Sequence, residues 1–327
     1  MPSRYEMDPP GRKRGYSIST DMSEAPQRGR IHIGISGWRY AAWRGKFYPE
    51  GLAQRRELEF AAKTFSSVEI NGTFYSLQRP SSFEQWSSET PEGFVFAVKG
   101  GRFITHMKKL TGVETALANF FASGVLALGP KIGPFLWQLP PMMKFNQGPY
   151  ETARYESFFT QLPRTVRSAA RLARQCDERM LSRAYMKPVL KKGDNPPMRH
   201  AIEVRHESFV QPAFVDLLRK HDVGLVVADT VEWPLLMDVT SDFVYVRLHG
   251  SEQLYFSGYE PDAIEVWARR VVAFATGEAA EGRYAGTAVA DGMPRDVYVY
   301  FDNDAKVRAP VDAQALQRRV NELLQLP

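Results

Sequence analysis

The stretch FVYVRLHG, residues 243–250, alternates between two kinds of side chain. Its aliphatic residues share one parity, and Tyr245, Arg247 and His249 share the other. Successive side chains of a strand point to opposite faces, so a strand here has one aliphatic face and one polar face. We interpret the stretch as a barrel strand whose aliphatic face meets surrounding helices and whose polar face lines the lumen.

Eight short β-rich runs occur along the chain, and segments with helical spacing of apolar residues separate most of them. Alternating strands and helices indicate right-handed crossovers in a parallel sheet, and eight repeats in roughly 300 residues is the number of a closed (β/α)8 barrel. We therefore predict an α/β fold of the TIM type. An open doubly wound sheet is the alternative, although no glycine-rich phosphate loop follows the first run. The runs are IHIGISGW (31–38), SSVEIN (66–71), FVFAVK (94–99), KIGPFLWQL (131–139), AIEVRH (201–206), VGLVVAD (223–229), FVYVRLHG (243–250) and DVYVYFDND (296–304).

The chain divides into a tail and one domain. Residues 1–29 are polar, punctuated by Gly and Pro and without periodicity, which predicts a disordered basic tail. Residues 30–327 then form a single barrel domain, with an Arg-rich helical connection over 163–199 before the fifth strand. No apolar run approaches the roughly 20 residues that span a bilayer, and the N-terminus lacks a secretory signal. We expect a cytoplasmic protein that does not contact membranes.

The net charge of +5 is unevenly distributed. Residues 164–199 hold ten Lys or Arg residues against Asp177, Glu178 and Asp194. A helix with arginines at this spacing can neutralise nucleic-acid phosphates, which makes nucleic acid one candidate partner. A solvated helix on the outside of the barrel is the alternative interpretation. Cys176 is the single cysteine, which excludes an intramolecular disulfide and a cysteine metal cluster.

Polar residues of the lumen parity gather toward the ends of the strands. In a parallel barrel these ends meet at one mouth, where barrel enzymes hold their active sites. Two interpretations stay open, because buried charges must pair: a network of ions that fixes the register of the barrel, or a catalytic site. The strand-end residues are Glu69, Asn71, Lys99, Gln138, Glu203, Arg205, Asp229, Arg247, His249 and Asp302.

Seven motifs occur in order between about residues 31 and 315: ISGWRYAAWRGKFYP, FSSVEINGTFY, FVFAVKGGRFITH, FLWQLPP, AIEVRHESF, FVYVRLHG and VYVYFDND. With them the sequence resembles the YecE-like family, domain of unknown function 72. The resemblance implies a TIM-type barrel but no reaction, because no activity is established for the family. Family members usually have Asn where Asp302 stands, and many have a shorter connection than 163–199.

Acid–base chemistry on an anionic substrate is the first interpretation of the mouth. Glu203 is the candidate general base and His249 the candidate general acid, since imidazole titrates near neutrality. Arg205 and Arg247 are candidate anion clamps, because a guanidinium grips a carboxylate or phosphate with two hydrogen bonds. The expected reaction is hydrolysis or isomerisation of a small phosphate- or carboxylate-bearing molecule. His206 and Glu69 are further catalytic candidates, although His206 is out of phase with Glu203 and needs a twist to reach the lumen.

Other residues near the strand ends are candidates for substrate binding, including aromatic rings that can stack on a sugar or base. A divalent metal held by Glu69, Glu203, Asp229 and His249 is conceivable, but two arginines in the same space would repel it, so no cofactor is favoured. A nucleic-acid-binding or nuclease-like barrel and a non-catalytic ligand-binding module are the alternative functions. The substrate-binding candidates beyond the arginines are Trp38, Asn71, Tyr75, Lys99, His106, Gln138, Asp229, Tyr259 and Asn303.

Overall fold

The structure is a computed structural model that describes residues 28–146, 148–250, 258–303 and 307–325. Its strands form a closed barrel in which each strand pairs in parallel with its sequence neighbours, and β8 returns to pair with β1. The predicted TIM-type fold is confirmed. The strands are β1 (Ile31–Ser36), β2 (Ser67–Ile70), β3 (Val95–Lys99), β4 (Ile132–Gln138), β5 (His200–Glu203), β6 (Gly224–Asp229), β7 (Phe243–Leu248) and β8 (Asp296–Phe301).

Helices connect most of the strands and form the outer layer. No helix lies between β6 and β7, where residues 230–242 are irregular. None of the helices in the described ranges is both long and apolar enough to cross a bilayer. The helices are α1 (Glu57–Thr64), α2 (Gly72–Tyr75), α3 (Pro80–Ser88), α4 (Glu114–Ala122), α5 (Pro149–Gln161), α6 (Val166–Ala173), α7 (Glu178–Leu181), α8 (Pro212–Lys220), α9 (Pro261–Thr276) and α10 (Arg308–Gln325).

The aliphatic parity of the strands packs against the helices, as the alternation predicts. Ile202, Val244 and Val246 are at most 3% exposed and belong to one large apolar cluster with the inner faces of the helices. Burying an aliphatic side chain of this size stabilises the fold by about 1.5–3 kcal/mol. This cluster supplies the main driving force for closing the barrel.

Large and small side chains fill the lumen below the mouth. Tyr245 and Tyr300, on β7 and β8, lie across from the small residues Ala97 and Ala201 on β3 and β5. Ser67 shares a 2.6 Å hydrogen bond with the Tyr300 hydroxyl. The lumen below the mouth is therefore a packed core rather than a channel.

The Arg-rich connection contains two short helices instead of one long one. Helix α6 begins with a capping box between Thr165 and Ser168, and it packs its alanine face against α4. Helix α7 begins at the cap Asp177, whose carboxylate also accepts a hydrogen bond from Asn119 at 2.9 Å. The exposed arginines of the connection lie on the outer side of the barrel. Of the predicted tail, 1–29, only residues 28 and 29 lie within the described ranges, so its disorder stays a prediction.

Candidate functional site

The register of the barrel brings the strand-end polar residues to one mouth. Glu69 lies beside Ser36 across the β1–β2 pair, and Gln138 lies beside Glu203 across the β4–β5 pair. Arg247, one residue before the end of β7, pairs in register with Tyr300 of β8. All of these side chains have the lumen parity. The structure thus brings together groups from six strands that are distant in sequence.

Arg247 is the centre of the mouth, and its guanidinium is completely buried. Nε and Nη2 donate to the carboxylate of Glu69 at 3.1 and 2.9 Å. Nη1 donates to Glu203 at 2.7 Å, and Nη2 donates to Asp302 at 2.7 Å and to the Ser36 hydroxyl at 3.2 Å. Three carboxylates therefore occupy the donors of this arginine. Its geometry favours the ion-network interpretation over direct contact with a substrate.

Glu69 lies at the bottom of the network and is also fully buried. Besides Arg247, it accepts hydrogen bonds from the Ser36 hydroxyl and, at 2.6 Å, from the Tyr245 hydroxyl. The Ser36 oxygen accepts in turn from the side-chain amide of Asn71 at 2.8 Å. These partners fix Glu69 below the mouth, so it holds Arg247 in place.

Glu203 is held from both sides. One oxygen accepts from Gln138 at 2.9 Å and from Arg205 Nε at 2.7 Å, and the other accepts from Arg247 at 2.7 Å. Burial by itself would raise the pKa of the Glu203 carboxyl, but Arg205 and Arg247 hold it well below its usual range. A carboxylate with so low a pKa is a weak base.

His249 lies between two carboxylates and is fully buried. Its Nδ1 is 3.2 Å from Asp302, and its Nε2 is 3.7 Å from Glu203 and 3.3 Å from Nη1 of Arg247. The Trp233 ring packs edge-on against the imidazole at 5.5 Å. The imidazole thus has charged side chains next to both of its nitrogens.

A second tier of groups lies above the buried network and keeps some exposure. The side chains of Arg205 and Asp302 are each 12% exposed, and Lys99 is 8% exposed. The Arg205 guanidinium stacks 4.2 Å from the centre of the Trp233 ring, and the Lys99 ammonium lies 4.7 Å from the centre of the Phe74 ring. Each of these two cations therefore packs against an aromatic ring of the mouth.

His106 lies at this rim, on the π-helical turn Phe103–Met107 that follows β3. Its Nδ1 is 2.9 Å from the Thr105 hydroxyl. Burial lowers the pKa of His106 to about 4, and the positive charges of Arg205, Lys99 and Arg102 contribute to the shift. The imidazole is therefore neutral at neutral pH.

Three predicted substrate-binding residues lie in a separate network on the helix side of the strands. Asp229 has the parity of the aliphatic face, accepts from Trp267 of α9 at 2.9 Å and also hydrogen bonds with Tyr259. Asp312 of α10 accepts from the Tyr259 amide at 3.1 Å and from the Asn303 side chain at 2.8 Å. This network ties α9 and α10 to the barrel. The alternation in VGLVVAD already places Asp229 on this side.

His206 and Tyr75 also lie apart from the central cluster. His206 Nδ1 accepts from the Ser208 amide at 3.0 Å and so caps the short 3₁₀ helix Glu207–Phe209. Tyr75 is 72% exposed at the end of α2. The twist that would bring His206 into the lumen is absent, because the histidine is engaged by the turn that follows it.

A cavity of about 280 Å³ adjoins the mouth beside the ends of β1 and β2. Trp38 forms one wall and packs edge-on against Trp86 at 5.3 Å. Asn71 lines the same cavity and connects it through Ser36 to the buried network. Trp38 and Asn71 are thus at a concave surface, whereas most predicted rim residues are not part of this cavity.

The proposed metal ligands do not converge. The oxygens of Glu69 and Glu203 face Arg247, and Asp229 is on the opposite side of its strand. Within the described ranges, no three His, Cys, Asp or Glu side chains are arranged to hold an ion. The carboxylates of Glu69 and Glu203 thus accept hydrogen bonds from a guanidinium instead of facing a shared position for a divalent cation.

One aromatic residue of the mouth, Trp233, was not found by sequence reasoning. It contacts both Arg205 and His249, yet it lies in the irregular segment between β6 and β7. No periodicity marks a residue in such a segment. Only its position after a strand end, at the mouth side, could have drawn attention to it.

Comparison with known proteins places the chain in a family. The family described as "Protein of unknown function DUF72" matches residues 32–326. The UPF0759 protein YecE of Escherichia coli (strain K12) is 29% identical over 133 residues, which cover 41% of this chain and 44% of that protein. The UPF0759 protein YunF of Bacillus subtilis (strain 168) is 29% identical over 116 residues, covering 34% and 40%. The matched parts thus span less than half the length of these curated relatives.

Solved structures of similar proteins agree in fold. A DUF72 family protein of Thermotoga maritima superposes with a TM-score of 0.64 at 22% identity, covering 91% of this chain and 100% of that one. A DUF72 family protein of Enterococcus faecalis gives a TM-score of 0.63 at 17% identity, covering 89% and 95%. At this identity the likeness establishes the shared barrel. Taken with the match over residues 32–326, it follows that the chain belongs to the DUF72 family.

Proposed function

We propose that the barrel mouth binds a small molecule carrying a phosphate or carboxylate and transfers a proton on it, in a hydrolase or isomerase type of reaction. The proposal rests on the tiered arrangement of charges. The lower tier, around Arg247, is buried and internally paired, and the upper tier retains exposure. Ligand contacts belong to the upper tier.

The observation that carries the proposal is the position of Arg205, whose guanidinium stacks 4.2 Å from the centre of the Trp233 ring while its side chain keeps 12% exposure. Arg205 also contributes, after burial, to the low pKa of His106. A guanidinium at a concave mouth can bind a phosphate or carboxylate with two parallel hydrogen bonds. Arg205 is therefore the principal anion contact in this proposal, in place of the enclosed Arg247.

Proton transfer is assigned to His249 together with Asp302. His249 lies 3.2 Å from the Asp302 carboxylate, whose side chain is partly exposed. Glu203, held at a low pKa by two arginines, orients Arg205 and His249 and does not act as the base. In the same proposal Glu69 and Gln138 act as supports for Arg247 and Glu203.

The test is a titration of His106 followed by NMR, using the full chain with and without inorganic phosphate. Without phosphate we expect a pKa of about 4. A bound anion favours the protonated imidazole, so saturating phosphate should raise this pKa. Acetate in place of phosphate tests whether a carboxylate suffices.

Variants identify the anion contact. Losing one charge-assisted hydrogen bond costs about 1.5–3 kcal/mol, so Arg205→Met should weaken phosphate binding by about tenfold or more. Arg183→Met, which changes an exposed arginine of the basic connection, is the control and should bind like the unchanged protein. The proposal is contradicted if phosphate leaves the pKa of His106 unchanged. It is also contradicted if Arg205→Met binds phosphate as tightly as the unchanged protein. Turnover separates an enzyme from a ligand-binding module, because His249→Gln should then bind phosphate esters without converting them.

Nucleic-acid binding is a second candidate function, and a different surface supports it. Arg167, Arg171 and Arg174 of the α6 region are exposed, while the alanines of the same helix are buried. Phosphate neutralisation by such a helix makes affinity fall steeply with salt. Anisotropy titrations with duplex DNA and with RNA at increasing salt test this candidate. No binding at low ionic strength, or binding unaffected by salt, excludes it.

A further inference from the structure

Lys99 ends β3 and points into the lumen at the level of the paired carboxylates. Its backbone carbonyl accepts a 2.6 Å hydrogen bond from the Thr73 hydroxyl, and the following amide of Gly100 donates to the Leu136 carbonyl of β4 at 2.8 Å. The backbone that carries this side chain is thus tied to both α2 and β4. A backbone segment fixed in this way holds its side chain in a defined position.

The side-chain nitrogen of Lys99 differs from the other cations of the mouth. Arg247 and Arg205 are each paired with a carboxylate at 2.9 Å or less, whereas Lys99 has no carboxylate partner within 4.0 Å in the described part of the chain. Its ammonium nitrogen lies 4.7 Å from the centre of the Phe74 ring. The lysine is 8% exposed. Among the residues that the structure describes, Lys99 thus makes no direct ion pair with the carboxylates around Arg247.

Burial and a neighbouring positive charge act in the same direction on the amine of Lys99. Burial lowers the pKa of Lys99, and the positive charge of Arg247 lowers it further, while Glu69, Asp302 and Glu203 act in the opposite direction. The Phe74 ring offers the ammonium a cation–π contact in place of a carboxylate. Desolvated lysines beside another cation are the ones that proteins use as amine nucleophiles.

We propose that Lys99 forms an imine with a small carbonyl compound bound at the mouth. This inference rests on the proposed function for its substrate class: an anionic group held at Arg205 would bring an adjacent aldehyde or ketone to Lys99. The class is therefore a carbonyl compound that also carries a carboxylate or phosphate, such as a 2-oxo acid. The reaction type that follows is carbon–carbon cleavage or isomerisation next to the carbonyl, because an imine acts as an electron sink.

The covalent step balances without any further reagent. The Nζ lone pair attacks the carbonyl carbon, a C–N bond forms, and the carbonyl π electrons move to oxygen. The oxygen receives both amine protons in turn and leaves as water, while the C=N bond forms. Borohydride added from outside transfers a hydride to the imine carbon, and the nitrogen takes a proton from water, which gives a stable secondary amine.

The test is reductive trapping followed by peptide mass spectrometry on the full chain at neutral pH. The probes are pyruvate, which is anionic, and propanal, which is uncharged, each with borohydride and each at several concentrations. Trapping should increase the mass of the Lys99 peptide by that of the probe less one oxygen atom. Lys108, an exposed lysine of the same loop region, is the internal reference, and Lys99→Met and Lys108→Met are the matched variants.

We expect pyruvate to label Lys99 at least tenfold faster than Lys108, and Lys99→Met to lose this fast labelling while Lys108→Met retains it. Preferential labelling of Lys99 by propanal but not by pyruvate supports the amine and contradicts anion binding at Arg205. Labelling of Lys99 by neither probe above the rate of Lys108 overturns the imine proposal. If phosphate still raises the pKa of His106 in that case, the proposed function stands without it.

Discussion

Replacing Arg247 by methionine removes the guanidinium that three carboxylates share. Glu69 and Glu203 are completely buried, and the Asp302 side chain is 12% exposed, so none of them regains full hydration. Removing one partner of a buried ion pair typically costs 3–5 kcal/mol, because the remaining charge is left uncompensated. With three carboxylates affected, we expect a loss at pH 7 of at least this size. That is a large part of the roughly 5–15 kcal/mol that stabilises a domain.

The loss should depend on pH in a defined direction. In the unchanged protein the pKa values of Glu203 and Asp302 are depressed despite burial, chiefly by arginine, so their contribution exists above about pH 4 and disappears as pH falls further. Without Arg247, burial is expected to raise the pKa of Asp302 above that of the unfolded chain, whereas Glu203 keeps its ion pair with Arg205. The variant should then regain stability on acidification, and the difference between the two proteins should shrink from pH 7 toward pH 4.

Urea unfolding at several pH values measures the effect, with Arg269→Met as the control. Arg269 pairs with Glu265 at 2.7 Å on the surface of α9, and its side chain is 72% exposed, so we expect no measurable change. Arg247→Met combined with Asp302→Asn should recover part of the loss, since one fewer charge is stranded. An Arg247→Met protein as stable as the control at pH 7, or a loss that does not vary with pH, refutes the reasoning.

Three further predictions concern packing and burial. In Gly34→Ala the new Cβ would lie 1.9 Å from the Ser67 carbonyl oxygen, so we expect a loss of about 3 kcal/mol or more in the free energy of unfolding, against a small change for Gly101→Ala, where the nearest atom is 3.8 Å away. Tyr300→Phe removes the 2.6 Å hydrogen bond to Ser67 and should cost about 1 kcal/mol in urea unfolding; no loss would mean that the bond contributes nothing net. Burial lowers the pKa of His200 to about 3, below the unfolded value of about 6.5, so its contribution is complete above pH 6.5 and is lost as pH falls toward 3. The pH profile of unfolding should therefore be flatter in His200→Gln, and parallel profiles for the two proteins would contradict this assignment.

The central residues of the mouth could be predicted from parity alone. Glu69, Glu203 and Arg247 have the polar parity of their strands, and their strands end at one rim. The same rule, applied to VGLVVAD, would have excluded Asp229, which shares its parity with Leu225 and Val227. His206 and Trp233 lie outside regular strands, where parity carries no information, so their positions could not be predicted in this way.

The amino-acid sequence by itself determined the barrel and the end of it that is polar. The alternation in FVYVRLHG and the repeated strand and helix patterns are local properties, because side-chain direction follows from backbone geometry within a few residues. The tertiary structure decided which charged side chains pair with one another. Tyr245 and Glu69 are 176 residues apart and meet at 2.6 Å, whereas Lys99 meets no carboxylate within the described ranges. Such pairings depend on distances across a closed barrel, and these exist only once all eight strands are in register.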